Sequence, residues 1–256
     1  MLTIEAEHIE EYVEHGFTDI EALFLYFHPV LTSIAFEYRM DNTMQTLTST
    51  TPEFDFNTWG QKLHSSFQGH IDAAAPVQLS LKEFLQQVEG ELCAGLHASD
   101  SEMIACNAGC SACCRVNVAT LVPEAYNIAA YLRHTRSAAE LARLRAQMRQ
   151  MLVVIGGLDD DERIATNQPC VFLDQEGSCS IYPVRPLLCR SITSTSAEAC
   201  RAALGWTMFE EPSSVMMNMF QKELMDTAFT ALAQIWHESG GDSRSRELTA
   251  AVYPLV

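Results

Sequence analysis

The residues of this sequence that are best suited to chemistry are its cysteines. Eight of the nine lie in one central stretch: Cys106, Cys110, Cys113, Cys114, Cys170, Cys179, Cys189 and Cys200. Thiolates are soft ligands that suit zinc, Cu(I) and iron–sulfur clusters, and four of them close one site. The eight could fill two four-thiolate sites, or one such site with the others left for redox chemistry or for a second site with fewer ligands. The ninth, Cys93, falls on an apolar helical face and is interpreted as a small buried core residue.

The spacing within the first group argues against a continuous helix. On a helix, Cys106 and Cys113 would lie about 10 Å apart along the axis, whereas the sulfurs on one zinc ion lie about 3.8 Å apart. The segment must therefore unwind or serve more than one centre. Gly109 favours unwinding, and the adjacent Cys113 and Cys114 cannot both point the same way on a helix.

The second group of cysteines is predicted to lie on and after a β-hairpin. Two short β-prone runs, 170–173 and 178–182, flank a polar turn that ends in glycine. The turn would bring Cys170 and Cys179 together, and two prolines stiffen the return to Cys189.

Two arginines, Arg185 and Arg190, flank Cys189. A four-thiolate zinc site or an oxidised four-iron cluster carries a formal charge of about −2, which nearby guanidinium groups would offset. Arginine does so without titrating. We therefore expect both arginines to lie close to the metal ligands without binding the metal themselves.

Composition limits the possible partners. The chain has 256 residues, of which 48% are hydrophobic and 19% charged, enough for a buried core. A net charge of −17 argues against a nucleic-acid partner because a polyanion would be repelled. No apolar run reaches the length of about 18–20 residues that spans a bilayer, so no membrane contact is expected. The acidic N-terminus shows no secretory signal, and we expect a cytoplasmic protein whose cysteines serve something other than disulfides.

Charge and cysteines divide the chain into three predicted regions. Residues 1–60 hold eleven acidic side chains and one basic one, whereas residues 101–205 hold ten acidic side chains and ten basic ones, all arginine. We predict an acidic helical N-terminal region over 1–100, a cysteine-cluster metal-binding module over 101–205, and C-terminal helices over 206–256 that pack on the module. The acidic region is either a solvated face or a docking surface for a protein partner.

The predicted fold class is mainly α: a helical protein with an irregular cysteine-rich module that contains a short β-hairpin. Capping boxes and periodicity start helices near Thr18, Ser80 and Ser137. The sequence further predicts a helix from Pro123 to about His134, a long helix from about 214 to 237 ending at Gly240-Gly241, and loops over 41–57 and 159–162.

The cysteine motifs resemble a known family. Residues 106–114, read with 169–190 and Cys200, look like the signatures of the CxxCxxCC, or YkgJ-type, cysteine-cluster proteins, over roughly residues 103–205. The resemblance implies a zinc- or iron-chelating domain. Some members are named flagellin lysine N-methylases, which implies methyl transfer from S-adenosylmethionine. This sequence has no glycine-rich loop after a strand and no βαβ alternation to support that activity.

The leading hypothesis is a cytosolic metalloprotein that binds an iron–sulfur cluster or zinc through the eight cysteines. Iron–sulfur is favoured narrowly because paired CxxC spacing, which is common in zinc sites, occurs only at Cys110 and Cys113. One alternative is a metal-dependent enzyme, either a flagellin-methylase-like protein lysine methyltransferase or an oxidoreductase. Another is a metal chaperone or maturation factor. The three-cysteine pattern of radical S-adenosylmethionine enzymes fits less well, because Ala112 stands where those enzymes usually carry an aromatic residue and Cys114 adds a fourth thiol.

Overall fold

A computed structural model describes residues 54–71, 78–205 and 214–256 of the chain. The helix predicted near Thr18 and most of the loop predicted over 41–57 lie outside these ranges. The end of that predicted loop is wrong, because a helix begins at Phe56 after Asp55, whose side chain accepts the Thr58 N–H at 3.0 Å. An N-terminal cap of this kind satisfies a backbone donor that the first helical turn leaves free.

The described part of the chain is mainly helical, as predicted. Its α-helices are α1 Phe56–Phe67, α2 Gln78–Gly95, α3 Ala98–Met103, α4 Val122–Thr135, α5 Ala138–Ile155, α6 Asp160–Ala165, α7 Leu187–Ser191, α8 Ala197–Leu204, α9 Met219–Glu238 and α10 Leu248–Val252. Short 3₁₀ turns occupy Tyr182–Val184 and Tyr253–Leu255. None of the described helices is long and apolar enough to cross a bilayer.

A first hydrophobic core surrounds helix α9, which packs on α1, α2 and α7. Trp59 and Leu63 of α1, Phe84 of α2, and Leu232 and Trp236 of α9 are buried in it. These positions recur at helical spacing on each element, so each helix turns one apolar face inward.

A second hydrophobic core lies between α4, α5 and α10. Ile128 of α4, Met148 of α5 and Val252 of α10 are fully buried in it. Phe172 and Ile181, from the predicted hairpin, join the same core. The cysteine-bearing segments are therefore attached to a packed helical body.

The predicted hairpin is present in a very short form. Leu173 and Cys179 make a single antiparallel bridge, and the Asp174 N–H donates to the Ser178 carbonyl at 2.9 Å across the turn. Gly177 lies in this turn at a φ of 78°, in the left-handed region that glycine adopts without strain. A regular two-stranded sheet occurs elsewhere, where β1 (Ala119–Thr120) pairs antiparallel with β2 (Arg246–Glu247).

Local capping signals predicted the helix boundaries well in two cases. Ser137 caps α5 in the predicted capping box with Glu140, and α4 covers the predicted helix after Pro123. The loop predicted over 159–162 is wrong, since Asp159 caps α6 through the Glu162 N–H at 2.8 Å.

The long C-terminal helix begins later than predicted. The Asn218 side chain accepts the Gln221 N–H at 2.8 Å and starts α9 at Met219. The helix ends at the glycines, as predicted. The Gly240 N–H donates to the His237 carbonyl, and Gly240 has a φ of 86°.

Candidate metal centre

The first four cysteines of the central stretch lie on an irregular segment, residues 104–118, which we call the first cysteine loop. No helix or strand is assigned between α3 and β1. Gly109 has a φ of 86°, and tight turns join the Cys110 N–H to the Asn107 carbonyl and the Cys114 N–H to the Ser111 carbonyl at 3.0 and 3.1 Å. The predicted unwinding is confirmed.

The hairpin packs against this loop. The Cys170 N–H donates to the Cys114 carbonyl at 2.7 Å. At the tip of the hairpin, a methyl group added to Gly177 would lie 3.4 Å from the Gly109 carbonyl oxygen and 3.4 Å from Ser111 Oγ. A backbone hydrogen bond at one end and a close approach at the other therefore place the two cysteine-bearing segments side by side.

Cys189 lies on helix α7. The start of this helix is held in place by a hydrogen bond to Glu124. The Leu187 N–H donates to Glu124 Oε1 at 2.7 Å, while Glu124 Oε2 accepts the Leu121 N–H at the start of α4. Cys189, Cys170 and Cys179 all pack against the second core.

Cys106 and Cys200 lie near each other at another part of the site. The Ala105 N–H donates to the Ser194 carbonyl at 2.8 Å, and Cys106 Sγ contacts the same carbonyl oxygen at 3.9 Å. Ser196, two residues further on, caps α8 through the Ala199 N–H at 3.1 Å, and α8 carries Cys200.

The cysteines thus fall into two groups. We call Cys170, Cys179 and Cys189, which pack on the second core, the inner group. We call Cys106, Cys110 and Cys200 the outer group; Cys106 is exposed and the other two are half-buried. The adjacent Cys113 and Cys114 lie between the groups along the first cysteine loop.

Electrostatics support the outer group. Burial raises the pKa of the Cys106 thiol, and a hydrogen bond with the Ser194 backbone lowers it. Negative charge on neighbouring thiols raises it again, and those neighbours are Cys110, Cys113 and Cys200. Because charge effects fall off with distance, Cys106 is within electrostatic reach of each of these three thiols.

In the inner group, burial and neighbouring thiols also raise the pKa of the cysteines, and the increase is larger. Burial raises the pKa of Cys170 to about 12 and that of Cys189 well above its usual value. Negative charge on Cys170 and Cys179 raises the pKa of Cys189 further. Several thiolates therefore gather here only where positive charge compensates them.

Cys113 connects the two groups. A hydrogen bond with the Cys114 thiol, followed by burial, raises the pKa of Cys113 above the usual range of thiols. Negative charge on Cys113 in turn raises the pKa of both Cys106 and Cys179. The vicinal pair is thus within electrostatic reach of both groups.

Of the two arginines predicted to offset the charge, Arg185 faces the thiols. Its positive charge lowers the pKa of Cys113, Cys179 and Cys189. The guanidinium carbon lies 4.0 Å from the centre of the Tyr182 ring, and the buried Nε has no hydrogen-bond partner among the described residues.

The partners of Arg190 are a carboxylate and backbone carbonyls rather than the cysteines. It pairs with Glu89 of α2, and it donates to the carbonyls of Arg185 at 2.8 Å and Pro183 at 3.2 Å. Arg190 therefore stabilises the backbone around Arg185 and links that backbone to α2.

A third arginine, Arg163, was missed from the sequence. It is 2% exposed on α6 and donates to the Gln168 carbonyl at 2.8 Å, while its Nε has no partner among the described residues. Burial lowers the pKa of Arg163, and negative charge on Glu247 and Cys170 opposes that shift. No local signal distinguishes this arginine from the others of the segment, because the charges that act on it, those of Glu247 and Cys170, belong to other elements of the structure.

The residues fit a thiolate-ligated metal centre in their chemistry. Among the residues that the structure describes, no three cysteine, histidine or carboxylate side chains lie close enough to hold one ion, so a bound metal would draw its ligands together. Eight thiols are nevertheless gathered in one region. Two buried guanidinium nitrogens, Arg163 Nε and Arg185 Nε, lack acceptors there, which suits an anionic centre.

The predicted burial of Cys93 is wrong. It is exposed on α2. The buried face of that helix is formed by Leu81, Phe84, Leu85 and Val88, which leaves Cys93 on the side that faces solvent.

Comparison with known families agrees with the cysteine pattern. Residues 105–210 match the CxxCxxCC family model, whose description reads "Putative zinc- or iron-chelating domain". No curated protein and no solved structure matches the chain. The match covers the first cysteine loop, the hairpin, α7 and α8. Residues 105–210 are therefore similar to the CxxCxxCC family, as the cysteine motifs of this segment predicted.

Proposed function

We propose that this domain binds an iron–sulfur centre through its cysteines. The observation that carries the proposal is the convergence of four chain segments (the first cysteine loop, the hairpin, α7 and α8), each of which brings thiols to one region. Core filling does not account for this arrangement, because the outer group is exposed or half-buried rather than packed in a core.

The preference for iron–sulfur over zinc rests on how the ligands are distributed. Structural zinc sites are commonly built from CxxC pairs, and Cys110 and Cys113 form such a pair in the first cysteine loop. Cys170, Cys179, Cys189 and Cys200 each arrive singly, on the two sides of the hairpin and on two short helices. Four cysteine thiolates hold an iron–sulfur cluster as well, so the preference rests on the scarcity of CxxC pairs.

Arg185 supports an anionic centre of this kind. Its guanidinium group faces Cys113, Cys179 and Cys189 and keeps a buried N–H without an acceptor. A permanently charged group in that position stabilises thiolates and the sulfides of a cluster alike. Arg163 adds a second buried positive charge beside Cys170.

Anaerobic purification followed by metal and sulfide analysis tests the proposal. We expect iron with an equal amount of acid-labile sulfide, together with a broad sulfur-to-iron charge-transfer absorption in the visible region. A colourless protein that holds zinc would overturn the iron–sulfur assignment and leave the chelating function in place. Protein purified without any bound metal, and unable to take up iron or zinc, would contradict both.

Cysteine variants locate the centre. Cys170→Ser and Cys189→Ser should each lower the metal content, because both residues belong to the inner group. Cys93→Ser is the matched control, since Cys93 is an exposed cysteine outside the domain and its loss should leave the metal content unchanged. Equal metal content in all three variants would place the ligands elsewhere.

A further inference from the structure

We infer that helix α5 carries a docking surface for the acidic N-terminal segment of this same chain. The surface is the outward side of the helix, which we call the α5 outer face, and its occupant is the segment 1–27. The face carries no cysteine, so this role goes beyond metal binding and does not depend on it. The α5 outer face is formed by Arg143, Ala146, Arg149, Gln150, Val153 and Val154.

Helix α5 has two opposite sides with different surroundings. Leu144 and Met148 on one side are buried in the second core, beside α4 and α10. At about 100° per residue, the residues of the α5 outer face fall within an arc of about 140° on the opposite side of the helix. All six are exposed. This side of the helix is therefore open to a partner.

The apolar part of the α5 outer face lies at the end of the helix. Val153 is 71% exposed and Val154 is 46% exposed, and Val153 is the most exposed of the large hydrophobic side chains that the structure describes. Single exposed apolar residues are common on protein surfaces. The two valines are adjacent, however, and they lie on the same side of the helix as two arginines. The face thus offers both apolar contact and positive charge.

The charge of the α5 outer face is opposite to that of the chain as a whole. Residues 131–155 hold five arginines and a single carboxylate, Glu140, although the chain has a net charge of −17. Arg143 and Arg149 form no ion pair with any carboxylate in the described part of the chain. These two guanidinium groups are therefore available to an acidic segment.

The segment 1–27 has the complementary properties. It contains seven acidic side chains and no lysine or arginine. Its carboxylates would lie beside the two arginines, and its apolar side chains would cover the two valines. Complementary charge favours this face over the rest of an acidic protein. The apolar residues of the segment recur every three or four positions, the spacing typical of a helix with one apolar face: Ile9, Val13, Phe17, Ile20, Phe24 and Phe27.

The connection between the segment and the helix is long enough for this contact. Residues 28–53 separate the segment 1–27 from the described part of the chain, and a connection of this length spans up to about 85 Å. A compact protein of this size has a radius of gyration of about 18 Å, so the segment can reach any side of it. Because both partners belong to one chain, they meet at a high effective concentration. This favours the chain's own segment over a second copy.

Site-specific photo-cross-linking in the full chain tests the inference. The photoreactive residue p-benzoylphenylalanine, placed at position Gln150, lies near the centre of the α5 outer face, and mass spectrometry identifies the peptide that it captures. We expect capture of residues 1–27 in a product with the mass of one chain. The control places the same group at Gln86, an exposed residue of α2. Because α2 packs on α1, where the N-terminal segment joins the described chain, collisions due to tethering alone would favour the control position.

Charge variants of the cross-linking protein test the electrostatic contribution. Arg143→Glu/Arg149→Glu should weaken docking by roughly 2- to 30-fold, the effect of losing two exposed ion pairs, and the capture from position 150 should fall accordingly. Glu10→Arg/Glu14→Arg should have the same effect from the other partner. The four changes together bring opposite charges back into contact and should restore the capture. Circular dichroism verifies the fold of every variant.

Three results would overturn the inference. The first is capture of the segment from position 150 that does not exceed its capture from position 86. The second is a cross-linked product with the mass of two chains, which would show that a second copy occupies the face. The third is capture that does not change in either pair of charge variants. Metal content should equal that of wild type in every variant, so these results leave the proposed function unaffected.

Discussion

The Glu124 carboxylate accepts the Leu187 N–H at 2.7 Å and so fastens the start of α7 to the start of α4. Its other oxygen accepts the Leu121 N–H at 2.8 Å. Glu124 is 3% exposed. One buried side chain thus satisfies a backbone donor at the beginning of each of two helices, and it holds the helix that carries Cys189 against the second core.

Replacing Glu124 with glutamine should destabilise the protein. Glutamine presents one oxygen and one NH₂ group, so one of the two backbone N–H groups loses its acceptor and faces a second donor. A buried donor without a partner costs about 1–3 kcal/mol. The free energy of unfolding, measured by urea denaturation, should fall by that amount. Glu140→Gln is the control, because Glu140 closes the same kind of capping box at the solvent-exposed start of α5. Equal losses in the two variants would show that burial of Glu124 is unimportant.

The same carboxyl group should make stability depend on pH. Burial raises the pKa of Glu124 to about 7, against the opposing effect of the N–H groups of Leu121 and Leu187. A raised pKa means that the folded state binds the proton more tightly than the unfolded state does. This contribution to stability is therefore complete below about pH 4.5 and is lost as the pH rises to about 7.

Glu124→Gln removes that titration. The difference in unfolding free energy between wild type and Glu124→Gln should thus be larger at pH 5 than at pH 8, and urea denaturation at both pH values measures it. The cysteines titrate in both proteins, so their effect cancels in the difference. A difference that is constant with pH, or that grows toward pH 8, would contradict the predicted raised pKa.

Arg185 should strengthen metal retention. Arg185→Gln removes the positive charge that faces Cys113, Cys179 and Cys189, and loss of a group that supports metal ligands typically lowers affinity by about 10–100-fold. Competition with a chelator measures the change. Arg143→Gln, an exposed arginine of α5, is the control and should retain metal like wild type. If Arg185→Gln and Arg143→Gln behave alike, Arg185 has no such role.

Local signals account for the features that the sequence predicted correctly. The Ser137–Glu140 capping box, the unwinding at Gly109 and the turn at Gly177 each depend on a few adjacent residues whose backbone preferences act alone. The cysteine motifs are likewise local, so the similarity of residues 105–210 to the CxxCxxCC family could be predicted without any tertiary structure.

The features that escaped sequence reasoning depend on contacts between distant segments. Arg163 is buried where the charge of Glu247 in β2 acts on it. Thr120 pairs with Arg246 in strands of two residues each, which are too short to show periodicity. The exposure of Cys93 also depends on contacts between distant segments, because the packing of α1 and α9 determines which face of α2 is buried. The division of the cysteines into an inner and an outer group also arises from packing, since their spacing along the chain is compatible with several groupings.

Gly177 should be required for the hairpin to pack on the first cysteine loop, and a second glycine separates this role from simple backbone strain. Gly177 and Gly69 have φ angles of 78° and 79°, so a residue with a side chain at either position costs about 1–2 kcal/mol of backbone strain. A Cβ atom added at Gly69 would meet nothing within 4 Å, whereas at Gly177 it would lie in van der Waals contact, at 3.4 Å, with the Gly109 carbonyl oxygen and Ser111 Oγ. A leucine side chain extends beyond that Cβ atom, so at Gly177 it would press against the loop. Gly177→Leu and Gly69→Leu should therefore both lose stability in thermal denaturation, and only Gly177→Leu should also lose metal, as measured by metal analysis. Full metal content in Gly177→Leu, or an equal loss in Gly69→Leu, would show that this contact does not hold the site together.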